Sequence, residues 1–217
     1  MEYPTPKIKF CGITVPADAD AAVAAGAWAL GVILWHGSPR RCRRGVAAEI
    51  AAVHRRHAQI VGVFVNPTLD QLARAADEIG LTMLQLHGDE GPVFCAEAAR
   101  RTGCRVIKAA RVRTRADIQA LGAFHTDFHL LDSYARGLPG GTGETFAWEL
   151  ARGRGRQVPM ILSGGLTAEN VADAIAAVRP YAVDVASGTE IEPGVKDPEK
   201  LRAFAAAVHG SAPVAAQ

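Results

Sequence analysis

The stretch IVGVFVNPTLDQLARAADEIG, residues 60–80, contains one complete strand-and-helix unit. Its first six residues form a continuous apolar run, which is typical of a parallel strand covered on both faces. Apolar residues then recur at helical spacing, at Leu69, Leu72, Ala73 and Ala76. Thr68 stands in the N-cap position and Gly80 follows as a stop signal. This stretch therefore predicts a β-strand followed directly by an amphipathic helix.

The same unit recurs along the whole chain. Eight strands are predicted, at Lys7–Ile13, Ala29–Leu34, Gln59–Val65, Thr82–His87, Arg105–Ala110, Phe128–Asp132, Pro159–Ser163 and Ala182–Ala186. Further helices are predicted between Thr167 and Pro180 and after Asp197, where Pro198 takes the first helical position. The units repeat every 25 residues or so, about the length that a strand, a helix and their loops require.

Eight such units without a break in composition favour one closed barrel over an open, doubly wound sheet, which more often has five or six strands. We therefore predict an α/β fold, a single-domain (β/α)8 TIM barrel with eight parallel strands. The barrel, which would be the catalytic domain, is expected over residues 1–210, and residues 211–217 are expected to form a short C-terminal tail.

Composition narrows the function classes. Hydrophobic residues make up 49% and charged residues 21% of the 217 residues, as in an ordinary folded protein. The net charge of +2 gives no reason to expect a nucleic-acid partner. No apolar run approaches the roughly 20 residues of a membrane span, and the N-terminus lacks a signal-peptide pattern, so we expect a cytoplasmic protein without membrane contact. The histidines and cysteines show no metal-ligand spacing, so no metal is expected.

Two residues with acid–base chemistry are predicted at the carboxyl ends of strands, where barrels of this type place their active sites. Cys11 ends the first strand within KFCGIT, and Asp132 ends the sixth within LLDS. Each taken alone has an ordinary structural explanation, Cys11 as a small core residue and Asp132 as a turn or capping residue. Together, a thiol and a carboxyl group across the barrel mouth would form a general base and a general acid.

Glycine-rich loops and cationic residues complete the candidate site. Glycines follow the last three strands, in GLPGGTG at residues 137–143, SGG at 163–165 and ASG at 186–188. Because barrels commonly bind phosphate after strands seven and eight, these loops predict a phosphate site. One arginine of SPRRCRR, after the second strand, would be able to hold a carboxylate bidentately. Lys108, near the end of the fifth strand, is either a Schiff-base lysine or the partner of another charge.

These motifs together resemble the phosphoribosylanthranilate isomerase family. The resemblance rests on KFCGIT, GVFVN, LQLHG, LLDS, GGTGETFAW, ILSGGL, AVDVASGTE and PGVKD, which occur in this order over nearly the whole chain. It implies the Amadori rearrangement of N-(5-phosphoribosyl)anthranilate to 1-(2-carboxyphenylamino)-1-deoxyribulose 5-phosphate, a step of tryptophan biosynthesis, without a cofactor. The expected partner is this small phosphosugar substrate, and the expected state is a monomer or a homodimer.

The resemblance also assigns roles to individual residues. Cys11 falls on the family's base, Asp132 on its acid, and Arg40 on the arginine that binds the anthranilate carboxylate. The phosphate loops fall on Gly141, Gly164, Gly165, Ser187 and Gly188. Asp184, at the end of the eighth strand, is expected to be a further substrate contact.

Two alternatives stay open from the residues themselves. The first is another phosphosugar-converting barrel enzyme, such as a Schiff-base aldolase that uses Lys108. The second is a barrel that binds a phosphorylated metabolite without catalysis, which would explain the glycine loops but would leave the pairing of Cys11 with Asp132 without a purpose.

Overall fold

The computed structural model of the chain describes residues 5–132, 148, 150–151 and 158–211. Eight parallel strands pair in chain order, and β8 closes on β1, which confirms the predicted (β/α)8 barrel. The strands are β1 Lys7–Cys11, β2 Ala29–Ile33, β3 Gln59–Phe64, β4 Met83–Leu86, β5 Arg105–Arg111, β6 Phe128–Asp132, β7 Met160–Ser163 and β8 Ala182–Val185. Each lies at its predicted place, with ends that differ by at most two residues.

The described helices surround this barrel. They are α1 Pro16–Ala24, α2 Arg44–His54, α3 Leu69–Ile79, α4 Pro92–Thr102, α5 Arg115–Ala120, α6 Val171–Val178 and α7 Pro198–Gly210. Trp148 and residues 150–151, between β6 and β7, are helical as well. Within the described ranges, no helix is both long enough and apolar enough to cross a membrane. The tail predicted at 211–217 lies, apart from Ser211, outside the described residues and stays a prediction.

The predicted helix signals act as expected at two helices. Thr68 and Gln71 form a capping box at the start of α3, and Gly80 ends this helix with a φ of 76°. The Asp197 side chain accepts from the first backbone N–H groups of α7. At α6 the turn is different: the Asn170 side chain accepts from the Thr167 N–H at 2.9 Å, and the helix begins only after Asn170.

The barrel interior changes from apolar to polar along its axis. Its apolar layers consist of Ala29, Val61, Met83, Ile107, Ala109, Phe128, Leu130, Ile161 and Ala182. Side chains alternate between the two faces of a strand, so residues two positions beyond these also face inward. Asp132 follows Leu130 in this way, Ser163 follows Ile161, and Asp184 follows Ala182. The carboxyl end of the barrel is therefore lined with polar and ionisable side chains.

A small hairpin between β8 and α7 was not among the predicted elements. It consists of β9 Glu190–Glu192 and β10 Val195–Lys196, which pair antiparallel. Gly194, in the turn, has a φ of 88°, a conformation that favours glycine. These strands contain only five residues between them, which is too short for an alternation pattern to stand out in the sequence.

Candidate active site

Cys11 ends β1 with its side chain inside the barrel mouth. Cys11 is only 6% exposed to solvent. The neighbouring strand leaves room for it, because a Cβ atom at Gly31 would lie 2.8 Å from the Cys11 sulfur and 3.1 Å from Lys9 Nζ. Gly12, directly after Cys11, has a φ of 79°, a conformation that favours glycine. Glycine at position 31 therefore leaves the space that the thiol occupies, and glycine at position 12 allows the turn that follows it.

A buried ion pair lies beside the Cys11 thiol. Lys9 is fully buried, and its Nζ donates to Asp184 Oδ1 at 2.7 Å. The second oxygen of Asp184 accepts from Ser163 Oγ at 3.0 Å. Strands β1, β8 and β7 are thereby joined by side chains at the level of the site. Asp184, which we expected to contact substrate, is engaged with Lys9 and Ser163.

These charges determine how the thiol ionises. Burial raises the pKa of the Cys11 thiol, and the Asp184 carboxylate raises it further, while Lys9 and Lys196 oppose them. Burial by itself would lower the pKa of Lys9, but the negative groups Asp184 and Cys11 outweigh it and raise that pKa. Lys9 therefore keeps its positive charge at neutral pH, next to the Cys11 sulfur.

Asp132 ends β6, and its side chain is 18% exposed. Its Oδ2 lies 3.3 Å from His87 Nε2. The His87 Nδ1 in turn lies 3.1 Å from the Gln85 amide nitrogen. His87, which looked isolated in the sequence, is the partner of the candidate acid.

Arg40 reaches the same mouth from the loop after β2. Its Nε lies 2.8 Å and 2.9 Å from the two carboxylate oxygens of Glu190, and its Nη2 lies 2.8 Å from Glu190 Oε2. Lys196 Nζ lies 3.3 Å from Glu190 Oε1. Burial opposes ionisation of Glu190, but Arg40 and Lys196 outweigh it and lower its pKa. Glu190 ends the AVDVASGTE motif and Lys196 lies in PGVKD, but the motifs alone predict no role for either of them.

The glycines of the predicted phosphate loops after β7 and β8 lie together. Gly164 and Gly165 have φ values of 97° and 63°. A Cβ atom at Gly188 would collide with the backbone carbonyl of Leu166, so the two loops touch where Gly188 stands. Ser187 precedes it in a short 3₁₀ turn. Gly141, the remaining residue of the predicted phosphate site, lies outside the described residues.

Lys108 is buried away from the barrel interior. Its neighbours Ile107 and Ala109 belong to the inward-facing layers, so Lys108 faces the surrounding helices. Its Nζ donates to Glu90 Oε2 at 2.8 Å and to the Gly88 carbonyl at 2.7 Å. Of the two roles left open for Lys108, the geometry matches the partner of another charge.

A cavity of about 430 Å³ opens beside the carboxyl ends of β3, β4 and β5. His87, Arg111 and Phe124 are among the residues that line it. Arg111 pairs with Asp132 in the strand register, so the cavity adjoins the acid side of the mouth. In the described part of the chain, no three His, Cys, Asp or Glu side chains are grouped so as to hold a metal ion.

Comparison with known proteins identifies the family. The family model for N-(5'-phosphoribosyl)anthranilate (PRA) isomerase matches residues 8–207. An N-(5'-phosphoribosyl)anthranilate isomerase of Citrifermentans bemidjiense is 47% identical over 199 residues, 90% of this chain and 93% of that protein. The enzyme of the same name from Chromohalobacter salexigens is 46% identical over 210 residues, 95% of this chain and 96% of that protein.

Solved structures lead to the same family. The phosphoribosylanthranilate isomerase of Thermotoga maritima superposes with a TM-score of 0.86 at 37% identity, over 94% of this chain and 99% of that one. Another solved isomerase of this kind, in complex with reduced 1-(o-carboxyphenylamino)-1-deoxyribulose 5-phosphate, has a TM-score of 0.82 at 36% identity, with the same shares covered. The barrel, its motifs and these relatives agree, and the chain belongs to the phosphoribosylanthranilate isomerase family.

Proposed function

We propose that Cys11 is the general base and Asp132 the general acid of this isomerase of tryptophan biosynthesis. The enzyme converts N-(5-phosphoribosyl)anthranilate into 1-(2-carboxyphenylamino)-1-deoxyribulose 5-phosphate by an Amadori rearrangement. The observation that carries the assignment is the position of the two groups at the carboxyl ends of β1 and β6. Both point into one barrel mouth, with the buried Lys9 beside the thiol and His87 beside the carboxyl group.

The first step opens the ribose ring. Asp132 donates its proton to the ring oxygen as the bond from this oxygen to C1 breaks, and the lone pair of the anthranilate nitrogen forms the C1–N double bond. Asp132 becomes a carboxylate in this step. A proton on His87 Nε2, 3.3 Å away, would stabilise the negative charge that forms there.

The second step moves a proton from carbon. The protonated Schiff base makes the C2 proton acidic, and the Cys11 thiolate removes it to form an enolamine. Tautomerisation of the enolamine then produces the C2 ketone. Lys9 favours the thiolate form because its ammonium group is buried beside the sulfur, where opposite charges interact strongly. Every proton in these steps moves between the substrate and the side chains, so the reaction as written uses no cofactor.

The two ends of the substrate are anionic and fix it between these groups. The loops after β7 and β8, with Gly164, Gly165, Ser187 and Gly188, are suited to the phosphate because glycine lets a ligand approach the backbone closely, at the place where barrels of this type commonly bind phosphate. Arg40, in the loop after β2, is suited to the anthranilate carboxylate. Gly141 is proposed as part of the phosphate site on the family motif alone. A substrate held at both ends has C1 and C2 fixed against the acid and the base.

Cytoplasmic localisation, with a monomeric or homodimeric state, completes the proposal. It is supported by the biosynthetic role of the family and by a dimeric phosphoribosylanthranilate isomerase from Thermotoga maritima, whose engineered monomers share this fold at a TM-score of 0.81. Light scattering of the purified protein distinguishes a monomer from a dimer.

Substitution of the two groups tests the acid–base assignment. Cys11→Ala and Asp132→Asn are each expected to lower kcat by about 10²–10⁴-fold, since each removes a proton-transfer group without a large change in size. Turnover is measured with substrate generated in place, by the loss of anthranilate fluorescence. Cys42→Ala, Cys95→Ala and Cys104→Ala are matched controls, which should keep wild-type kcat. A Cys11→Ala or Asp132→Asn enzyme with more than about a tenth of wild-type turnover would refute that residue's role.

A further inference from the structure

The hairpin β9–β10 brings two charged residues to the carboxylate-binding arginine. Glu190 begins β9 and Lys196 ends β10, and both are buried, at 6% and 3% exposure. Glu190 occupies the Nε edge of the Arg40 guanidinium with both of its oxygens. Lys196 closes the cluster from the other side, through Glu190 Oε1 and the Ala186 carbonyl. Arg40 is thus held by a residue 150 positions away in the sequence.

A guanidinium group has two edges, and each edge can donate two parallel hydrogen bonds to the oxygens of one carboxylate. Glu190 takes the edge that includes Nε, so a substrate carboxylate must use the edge between the two Nη atoms while Glu190 is in place. The Glu190 fork therefore determines the direction in which the other edge points. The Glu190 contact restricts rotation about the side-chain bonds of Arg40, so fewer rotations remain to be frozen when a carboxylate binds.

The charges of the cluster stay favourable for an anion. Glu190 alone would neutralise Arg40, but Lys196 adds a second cationic group, although burial lowers the pKa of this lysine. Asp18 is nearby as well, and its carboxylate accepts from the backbone N–H of Lys196 at 3.1 Å. Burial raises the pKa of Asp18, while the hydrogen bond from Lys196 and the charge of Lys196 lower it.

The pair also lies directly against the turn that follows the base. A Cβ atom at Gly12 would be 3.0 Å from Arg40 Cδ and 3.4 Å from Glu190 Oε1. Gly12 follows Cys11 in the chain, so the orientation of Arg40 is coupled to the strand end that holds the thiol. A substrate carboxylate that binds Arg40 is thereby positioned relative to the group that takes the C2 proton.

We propose that Glu190 is a positioning residue, which fixes the Arg40 guanidinium in the orientation that recognises the anthranilate carboxylate, while Lys196 balances its charge. This inference rests on the role proposed for Arg40. The inference predicts in which direction the affinity for the carboxylate changes when Glu190 is removed. If Glu190 only neutralised Arg40, its removal would strengthen carboxylate binding, whereas the loss of a positioning residue weakens it.

The test compares two ligands that differ by one group. Dissociation constants are measured for reduced 1-(o-carboxyphenylamino)-1-deoxyribulose 5-phosphate and for the same compound without the carboxyl group. The ratio of the two constants measures recognition of the carboxylate alone. We expect Glu190→Gln to reduce this ratio about tenfold or more, because an amide cannot accept at both ends of the fork. Glu192→Gln is the matched control on the same hairpin, since Glu192 is exposed, and should leave the ratio unchanged.

Two variants of Arg40 separate this inference from the proposal on which it rests. Arg40→Ala should abolish the preference for the carboxylate; if it does not, the role of Arg40 itself is wrong. If Arg40→Ala loses the preference and Glu190→Gln keeps or increases it, only the positioning role is overturned. Arg40→Lys keeps the charge without the fork and needs no change at the buried Glu190. The Arg40→Lys variant should also lose most of the preference for the ligand with the carboxyl group. A ratio of dissociation constants equal to that of the wild type would contradict the inference.

Discussion

We expect Lys9 to influence how readily Cys11, the proposed base, loses its proton. Burial in the barrel mouth makes the thiolate unfavourable, and a negative charge at Asp184 makes it more so. Lys9 supplies the nearest opposing charge, with Lys196 as a second source, and its own pKa is raised so that it remains protonated. A lysine paired only for stability would have no effect on the pH at which the enzyme works.

A charge-removing substitution on β1 distinguishes these roles. In Lys9→Met the thiol loses the cation that lowers its pKa, so the thiolate forms only at higher pH. The basic limb of kcat/KM should move to higher pH, and activity at pH 7 should fall about tenfold or more. Lys7→Met is the control on the same strand, where the Lys7 ammonium lies over the rings of Trp28 and Tyr181. A Lys9→Met profile that keeps the wild-type limb would show that Lys9 does not tune the base.

Strand β2 leaves room for the Cys11 thiol because Gly31 has no side chain. This glycine pairs with Cys11 in the strand register, and any side chain would enter the space of the thiol and of Lys9 Nζ. The strand as a whole is apolar and would accept alanine readily on pattern alone. The requirement for glycine therefore comes from the neighbouring strand, and it connects an ordinary barrel strand to the chemistry.

Gly31→Ala should disturb the active site more than the fold. The added methyl group forces the Cys11 side chain aside, so we expect kcat to fall about tenfold or more and the free energy of unfolding to drop by about 1–3 kcal/mol. Gly45→Ala is the control, because its Cβ would meet nothing within 4 Å and it lies in helix α2. That variant should keep wild-type activity and be equally or slightly more stable in urea. Full activity in Gly31→Ala would mean that the thiol position is not critical.

At the scale of the whole molecule, a buried charge network joins three strand ends on the acid side of the barrel. Glu90 accepts from the backbone N–H of Asn66 at 2.8 Å and of Gly88 at 2.9 Å, as well as from Lys108. These contacts connect the loops after β3 and β4 with β5. Lys108 thus serves the architecture, and the isomerase reaction assigns it no covalent step.

Removal of Lys108 should destabilise the protein because it leaves the buried Glu90 carboxylate without its cationic partner. We expect Lys108→Met to lower the free energy of unfolding in urea by about 3–5 kcal/mol, and the double variant Lys108→Met with Glu90→Gln to recover part of this loss. Borohydride added during turnover should leave Lys108 unmodified, as judged by peptide mass. A covalent adduct at Lys108 would restore the aldolase alternative.

Local patterns in the sequence were sufficient to predict the barrel. Apolar runs, helical spacing, Thr68, Gly80 and Asp197 act within a few residues of one another, so they predicted the eight strands, both ends of α3 and the start of α7. The β9–β10 hairpin is the exception, since its strands are too short to show a period. The positions of Cys11 and Asp132 followed from the same patterns, because barrels of this type place the carboxyl ends of their strands at one mouth.

The environment of the site was decided by the tertiary structure alone. Lys9 meets Asp184 across 175 residues, and Arg40 meets Glu190 across 150. His87 likewise reaches Asp132 from two strands away in the barrel. Closure of the barrel brings these partners together, and neither periodicity nor composition records which distant side chains will face each other. The sequence thus determined the scaffold and the places of the two proposed reacting groups, whereas the charged side chains around these groups depend on contacts that exist only in the closed barrel.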